Sequence, residues 1–189
     1  MTWFDILLWL LPAVLIFWSV GAYNRLVRLR AAVHQAYAAL DVELVRQAEL
    51  AASALPTQDS VLDEGLTEAG ALLDAPALAW RSLRSALSQF DAVLAATRGR
   101  GLDGEAVAAL NTARSVVDHA WARVLREGHD LAGAPMPEAV QARWAELSRI
   151  VGTSVEQFNA AVGAYNAAVR QFPAVLLAWL FGMRLASKL

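Results

Sequence analysis

Apolar residues recur at steps of three and four along most of this chain. Such spacing places them on one face of an α-helix and predicts amphipathic helices that pack through that face. The first stripe stops just before Pro56, which lacks the amide hydrogen that a helix needs. The pattern therefore predicts one long helix that ends near Pro56. Its stripe consists of Leu26, Leu29, Val33, Tyr37, Leu40, Leu44, Ala48, Ala51 and Leu55.

The middle of the chain continues the helical pattern with interruptions. Residues 58–97 predict one kinked helix or two short collinear ones, because two glycines and the stretch 74–76 break the pattern. The glycine-rich stretch 99–104 predicts a turn. A third helix is expected over residues 105–131, before a stretch of glycine and prolines.

The clearest periodicity predicts a fourth helix that Pro173 closes. Nothing in the chain shows the alternation of β-branched and polar residues that is typical of strands. Helices joined by short polar turns favour an all-α fold, an antiparallel four-helix bundle over residues 24–173. The fourth stripe consists of Val140, Trp144, Leu147, Val151, Val155, Phe158, Val162, Tyr165, Val169 and Phe172.

The N-terminal segment is a candidate membrane anchor. Residues 6–23 carry no charge, and at about 1.5 Å per residue they form about 27 Å of helix, close to the hydrocarbon thickness of about 30 Å. Trp3 and Trp18 flank the run, as aromatic side chains do at membrane interfaces. We predict an uncleaved transmembrane anchor over residues 1–23, continuous with the first bundle helix across Pro12, which a membrane-spanning helix tolerates.

Two alternatives to an anchor are a cleaved signal peptide and a buried core helix. A signal peptide begins with basic residues, whereas this chain has Asp5 and no Lys or Arg before the apolar run. Arg25, Arg28 and Arg30 follow the run, so the positive-inside rule predicts an external N-terminus and a cytoplasmic bundle. The same arginines can instead bind anionic headgroups on either leaflet.

The pattern Y-N-x-x-V-R occurs at residues 23–28 and again at residues 165–170. If the first helix leaves the membrane and the fourth returns to it, the two copies meet near the membrane. Tyr hydroxyls and Asn amides then hydrogen-bond across the seam while the arginines reach headgroups, or the copies simply fill the seam structurally. The expected membrane-proximal cluster is Tyr23, Asn24, Arg28, Tyr165, Asn166 and Arg170.

The C-terminal tail, residues 174–189, begins with ten apolar residues. This run is too short for a helix across a bilayer, which needs about 20 residues. It predicts a short apolar helix that either lies in the membrane interface or folds back as a cap on the bundle. In the first arrangement Trp179 and Phe181 are buried in lipid and Arg184 faces phosphates.

The stretches YNRLVRLR, from Tyr23, and FNAAVGAYNAAVRQFPAVLLAWLFGM, from Phe158, resemble the two end motifs of the LemA family. The middle matches only by helical pattern, and VRQAELAASALPTQDSV stands where the family has a segment like RRADLIPNLV, as in a divergent member. The resemblance implies a membrane-anchored, mainly α-helical protein. It implies no catalytic activity, because none is established for the family.

Composition narrows the candidate chemistry. The 16 basic and 18 acidic residues give no global field for nucleic acid, and the absence of cysteine excludes disulfides and thiolate chemistry. No histidine spacing matches a metal site, and no nucleotide-binding motif occurs, so no metal and no cofactor is expected. An enzyme would need a polar pocket in the bundle with His34 or His119 beside acids.

The leading hypothesis is a membrane-anchored scaffold or protein-interaction module without catalytic activity. An alternative is a lipid-binding or membrane-shape protein that uses the anchor together with the tail. An enzyme is a third hypothesis. The expected partners are membrane lipids, a membrane or cytoplasmic protein, and a second copy of the chain.

Overall fold

The structure, a computed structural model, describes residues 3–56, 75–127, 136–172 and 174–189, with the backbone alone for residues 3–9, 11–13, 15 and 75. Within these ranges the chain is helical and has no strand, which confirms the all-α prediction there. The helices are α1 (Trp3–Ser53), α2 (Ala75–Thr97), α3 (Gly104–Glu127), α4 (Glu138–Arg170) and α5 (Ala174–Leu180).

The helix ends agree with the glycine and proline positions in the sequence. α1 ends three residues before Pro56 and is continuous from Trp3, as predicted. α3 begins at Gly104, directly after the predicted turn. The first part of the predicted second helix, residues 58–74, lies outside the described residues, as do residues 128–135 and Pro173.

α1 and α4 lie antiparallel along each other. Residue numbers run in opposite directions along the pair: residue 25 of α1 is bonded to residue 171, just after α4, and residue 47 of α1 is bonded to residue 148 of α4. The predicted stripes face this interface, since Leu26, Leu40 and Val151 are fully buried. The contacts join Arg25 to Gln171 (3.0 Å), the rings of Tyr37 and Phe158 (centroids 5.8 Å apart) and Gln47 to Ser148 (2.9 Å).

α2 and α3 form a hairpin whose turn, residues 98–103, lies against the middle of α1. The Tyr37 hydroxyl donates a hydrogen bond to Thr97 Oγ1 (2.8 Å) at the end of α2. In the turn, Gly101 touches the Tyr37 ring so closely that an added Cβ would lie 2.8 Å from Cγ. At the other end of the hairpin, Trp121 of α3 stacks on Trp144 of α4 with centroids 4.3 Å apart.

Past the level of Tyr37 and Phe158, α1 and α4 continue together towards residues 25 and 171, about 18 Å beyond the hairpin turn. Here residues 181–189 lie along α4 in place of a hairpin helix. Phe172 departs from the predicted core stripe, because α4 ends at Arg170 and the Phe172 side chain is exposed. The packing is that of a helical bundle in which a non-helical segment covers part of α4.

No helix in the described part of the chain combines the length and the apolar character needed to cross a membrane. This finding does not support the predicted transmembrane helix. Most side chains of the predicted anchor, residues 1–23, lie outside the described residues.

Candidate functional site

One end of the molecule carries most of the large apolar side chains that are exposed in the described part of the chain. On α1 they precede Leu26, and at the other side they belong to α5 and the residues that flank it. We call this surface the apolar end. It comprises Leu10, Val14, Ile16, Phe17, Trp18, Val20, Phe172, Val175, Leu176, Trp179, Leu180 and Phe181.

α5 contacts the bundle through its small residues and leaves its large ones exposed. Ala174 and Ala178 are buried, whereas Trp179 is 83% exposed. The helix is placed by aromatic contacts at its two ends, which join Trp18 to Phe172 (centroids 6.0 Å) and Tyr23 to Phe181 (4.9 Å). The tail helix therefore rests on α1 and α4 through its alanines while its large apolar side chains face outward.

Arginines border the apolar end. Arg25, Arg28, Arg170 and Arg184 are all exposed, and Arg25 donates a hydrogen bond to Gln171 Oε1. The two chain segments that form this region, residues 14–30 and 165–189, contain no Asp or Glu. The region is therefore apolar at its tip and cationic next to it, which is the charge pattern that an anionic membrane surface attracts.

Two asparagines of α4 hold the main chain of the C-terminal segment. Asn166 Nδ2 donates to the Ala186 carbonyl (2.8 Å), and its Oδ1 accepts from the Ala186 N–H (2.9 Å). Asn159 bonds the N–H and C=O of Leu189 in the same way, both at 2.9 Å. We call this pair of side chains the asparagine ladder. It satisfies four main-chain groups that otherwise need water or another partner.

Tyr165 adds a fifth hydrogen bond beside the ladder. Its side chain is 1% exposed, and its hydroxyl donates to the Arg184 carbonyl at 3.0 Å. Burial raises the pKa of this phenol, and the nearby Arg30 guanidinium partly opposes the rise. Tyr165 therefore remains a neutral hydrogen-bond donor at neutral pH.

The predicted membrane-proximal cluster is only partly brought together. The two Y-N-x-x-V-R copies lie level and antiparallel, so their tyrosines fall at opposite ends of the paired motifs. Asn24, Arg28 and Arg170 are exposed. The hydrogen bonds of Tyr165 and Asn166 go to the C-terminal segment, so the predicted partner across the seam is wrong for these two side chains.

Sequence reasoning missed Asn159 and the C-terminal segment as parts of one site. The available signal was a repeat inside the fourth helix, where F-N-A-A-V at residues 158–162 is followed by Y-N-A-A-V at residues 165–169. A spacing of seven brings side chains to the same face of a helix after two turns. The repeat therefore puts both asparagines on one face, next to the buried aromatic positions.

The candidate histidines do not form a site with each other. His34 is half-buried on α1, one turn from Tyr37, whereas His119 is exposed and lies about 22 Å along α3 from Gly104. No group of three or more His, Cys, Asp or Glu side chains could hold a metal ion within the described ranges. A polar groove of about 680 Å³ beside the C-terminal segment is lined by Arg30, Asp103, Glu105 and Tyr165, and no histidine lines it.

Comparison with protein-family models, with curated proteins and with solved structures gives no match to this chain. The resemblance to the LemA family therefore depends on its two motifs. The second of them, residues 158–183, forms the end of α4, the asparagine ladder and α5.

Proposed function

We propose that the protein is a membrane-anchored helical scaffold without catalytic activity, and a divergent member of the LemA family. Residues 1–23 anchor it with the N-terminus outside, and the bundle lies in the cytoplasm. There it presents helical faces to another membrane or cytoplasmic protein. The observation that carries the proposal is the apolar end, where α1 and α5 expose large apolar side chains side by side.

An exposed apolar surface of this extent is typical of a contact with a membrane or another protein. Phe17 is 85% exposed on α1, and Trp179 is nearly as exposed on α5. The arginines beside them, with no acid in either segment, favour a lipid surface with anionic headgroups. Trp18 and Tyr23 lie between the apolar tip and the arginines, at the level that such rings prefer in membranes.

The scaffold role follows from what remains outside the membrane in this arrangement. α4 alone has 33 residues and extends about 50 Å; one face is buried on α1, the C-terminal segment covers another part, and the remaining face is open. Its open face carries charged and small side chains, among them Arg149, Glu156 and Ala167. A long, rigid face of this kind is suited to a partner protein that binds alongside a helix.

The exposed side chains of α5 favour a second candidate function, a lipid-binding or membrane-shape protein. A short helix that inserts Leu176, Trp179 and Leu180 into one leaflet adds area to that leaflet alone. In this function the anchor and α5 act together and the bundle needs no protein partner.

Photo-crosslinking in cells distinguishes the two functions. Full-length chains carry a photoreactive residue in place of Tyr23, Trp179, Ala167 or His119, and the adducts are identified by mass spectrometry. The scaffold function predicts lipid adducts from 23 and 179 and one reproducible protein adduct from 167. Lipid adducts at 23 and 179 with no protein adduct at 167 favour the lipid-binding function. If 23 and 179 give no more lipid adducts than the matched exposed position 119, the membrane proposal is wrong.

A further inference from the structure

All the hydrogen bonds that join the C-terminal segment, Met183–Leu189, to α4 use the main chain of the segment. In each rung of the asparagine ladder, one side-chain amide pairs with both the N–H and the C=O of a single residue. A neighbouring strand pairs with an extended chain in the same way. The ladder thus recognises an extended peptide without reading most of its side chains.

The spacing of the ladder matches an extended chain. Asn159 and Asn166 are seven residues apart, which is about 10.5 Å along a helix. Their partners, Ala186 and Leu189, are three residues apart. Three residues of a polyproline-type chain rise about 9 Å and return to the same side of the chain. The two repeats therefore differ by only about 1 Å, so one segment can form both rungs.

Two contacts fit the segment closely to its site, and the first of them selects a small side chain. Ala186 is 7% exposed, so a large residue does not fit there. Ser187 lies against Gly104 at the start of α3, where an added Cβ would be 2.6 Å from Ser187 Oγ. Arg184, Leu185 and Lys188 are exposed and contribute little selectivity.

Fewer buried side chains hold the segment than hold the helices. Five hydrogen bonds hold it, each of modest net strength, and of its side chains only Ala186 is buried in the core, with Met183 and Leu189 packed against its edge. Segments held in this way open locally, well below the free energy of global unfolding. Gly182, at φ +62°, joins the segment to α5 in a conformation that glycine adopts without strain. The segment can therefore leave α4 while α5 stays in place.

We propose that the strip of α4 between Asn159 and Asn166 is a binding site for the main chain of an extended peptide, and that its partner in trans is the C-terminal segment of a second copy. A second copy offers the same amides, the same Ala186 and the same Gly104. Seven extended residues reach about 23 Å, enough to cross to a neighbour whose α4 faces the first. Reciprocal exchange gives a closed two-fold dimer. This inference does not depend on the membrane proposal.

Disulfide trapping tests it, because the chain has no cysteine. A Cβ at position 104 would lie 3.5 Å from Ser187 Cβ, within the range that disulfides span, about 3.5–4.5 Å. Full-length Gly104→Cys and Ser187→Cys chains, with tags of different mass, are mixed in detergent and oxidised. Exchange predicts a disulfide-linked heterodimer, at least about tenfold above the control pair of Ala167→Cys with Ser187→Cys. An excess of unmodified chain lowers the yield by competition.

The ladder variants supply an asymmetric control. Asn159→Ala with Asn166→Ala in the Gly104→Cys chain removes the binding site, so the heterodimer falls by about tenfold or more. The same pair of substitutions in the Ser187→Cys chain lowers the yield much less, because the trapped contact uses only the segment of that chain and its ladder serves the reciprocal contact alone. Far-ultraviolet circular dichroism confirms that each variant is folded.

Two outcomes overturn the proposal. A heterodimer yield that does not depend on which chain carries the ladder substitutions shows that the ladder is not the binding site. Failure to form the heterodimer overturns exchange between copies. A chain with both Gly104→Cys and Ser187→Cys then identifies the reason, since closure within that chain shows docking in cis alone and absence of closure contradicts the docking itself.

Discussion

Gly101→Ala is expected to destabilise the protein by overpacking the contact between the hairpin turn and α1. The added methyl would lie 2.8–3.0 Å from three atoms of Tyr37. The ring cannot retreat, because Phe158 packs against it and Thr97 holds its hydroxyl. Overpacking of this kind costs about 1–3 kcal/mol. Replacing glycine by alanine also lowers the conformational entropy of the unfolded chain, which stabilises the fold by about 0.4–1 kcal/mol. The net loss of unfolding free energy is therefore about 1–2 kcal/mol.

The assay is thermal unfolding in detergent, followed by circular dichroism. In a chain of this size, 1 kcal/mol shifts Tm by about 2–4 °C, so Gly101→Ala should lower Tm by about 2–8 °C. Gly152→Ala is the matched control, because no atom lies within 4 Å of its added methyl and α4 gains up to about 1 kcal/mol. In a Tyr37→Ala background the clash is absent and Gly101→Ala should be nearly neutral. An equal loss with and without the tyrosine ring would refute this explanation.

Three further predictions concern other buried groups. Trp121→Ala should lower the free energy of unfolding by about 3–5 kcal/mol in denaturant titrations, since the indole is buried and stacked on Trp144. Trp121→Phe should lower it much less, because no described group accepts a hydrogen bond from the indole N–H. Burial raises the pKa of Tyr37 and Tyr165, so the folded protein should lose stability as the pH rises through the ordinary tyrosine range, where the unfolded chain ionises first. Absorbance at 295 nm should show that these phenols titrate late. Tyr37→Phe or Tyr165→Phe should reduce the amplitude of this late titration. Burial also raises the pKa of Asp118, so ionisation of this carboxyl costs stability as the pH rises through the acidic range. The cost is small because the side chain is still 44% exposed. Asp118→Asn should therefore raise Tm slightly at neutral pH and leave Tm unchanged at a pH where the carboxyl is already protonated.

The helices could be predicted because their apolar spacing determines which face is buried. The stripe from Leu26 to Ala51 lies in the core, and Pro56 follows the end of α1 as expected. The antiparallel pairing of α1 with α4 follows from an up-and-down order of helices. These features depend on many residues that repeat one pattern, so single errors do not change the result.

The docking of the C-terminal segment could not be predicted in the same way. Its hydrogen bonds use the main chain, which every residue shares, and so its own side chains carry almost no signal. The signal is on the receptor side, in the heptad repeat of F-N-A-A-V and Y-N-A-A-V. The longer-range repeat of Y-N-x-x-V-R drew attention to Asn166 but assigned it the wrong partner.

The decisive measurement is the membrane depth of single spin labels in liposomes that contain anionic lipid. The chain has no cysteine, so a label can be attached at position 17, 180 or 119 through one introduced cysteine. Labels at 17 and 180 on the apolar end should be accessible to oxygen and shielded from a water-soluble nickel complex, and the label at 119 should show the reverse. Equal accessibility to the nickel complex at all three positions would contradict the proposal that the apolar end lies in the membrane.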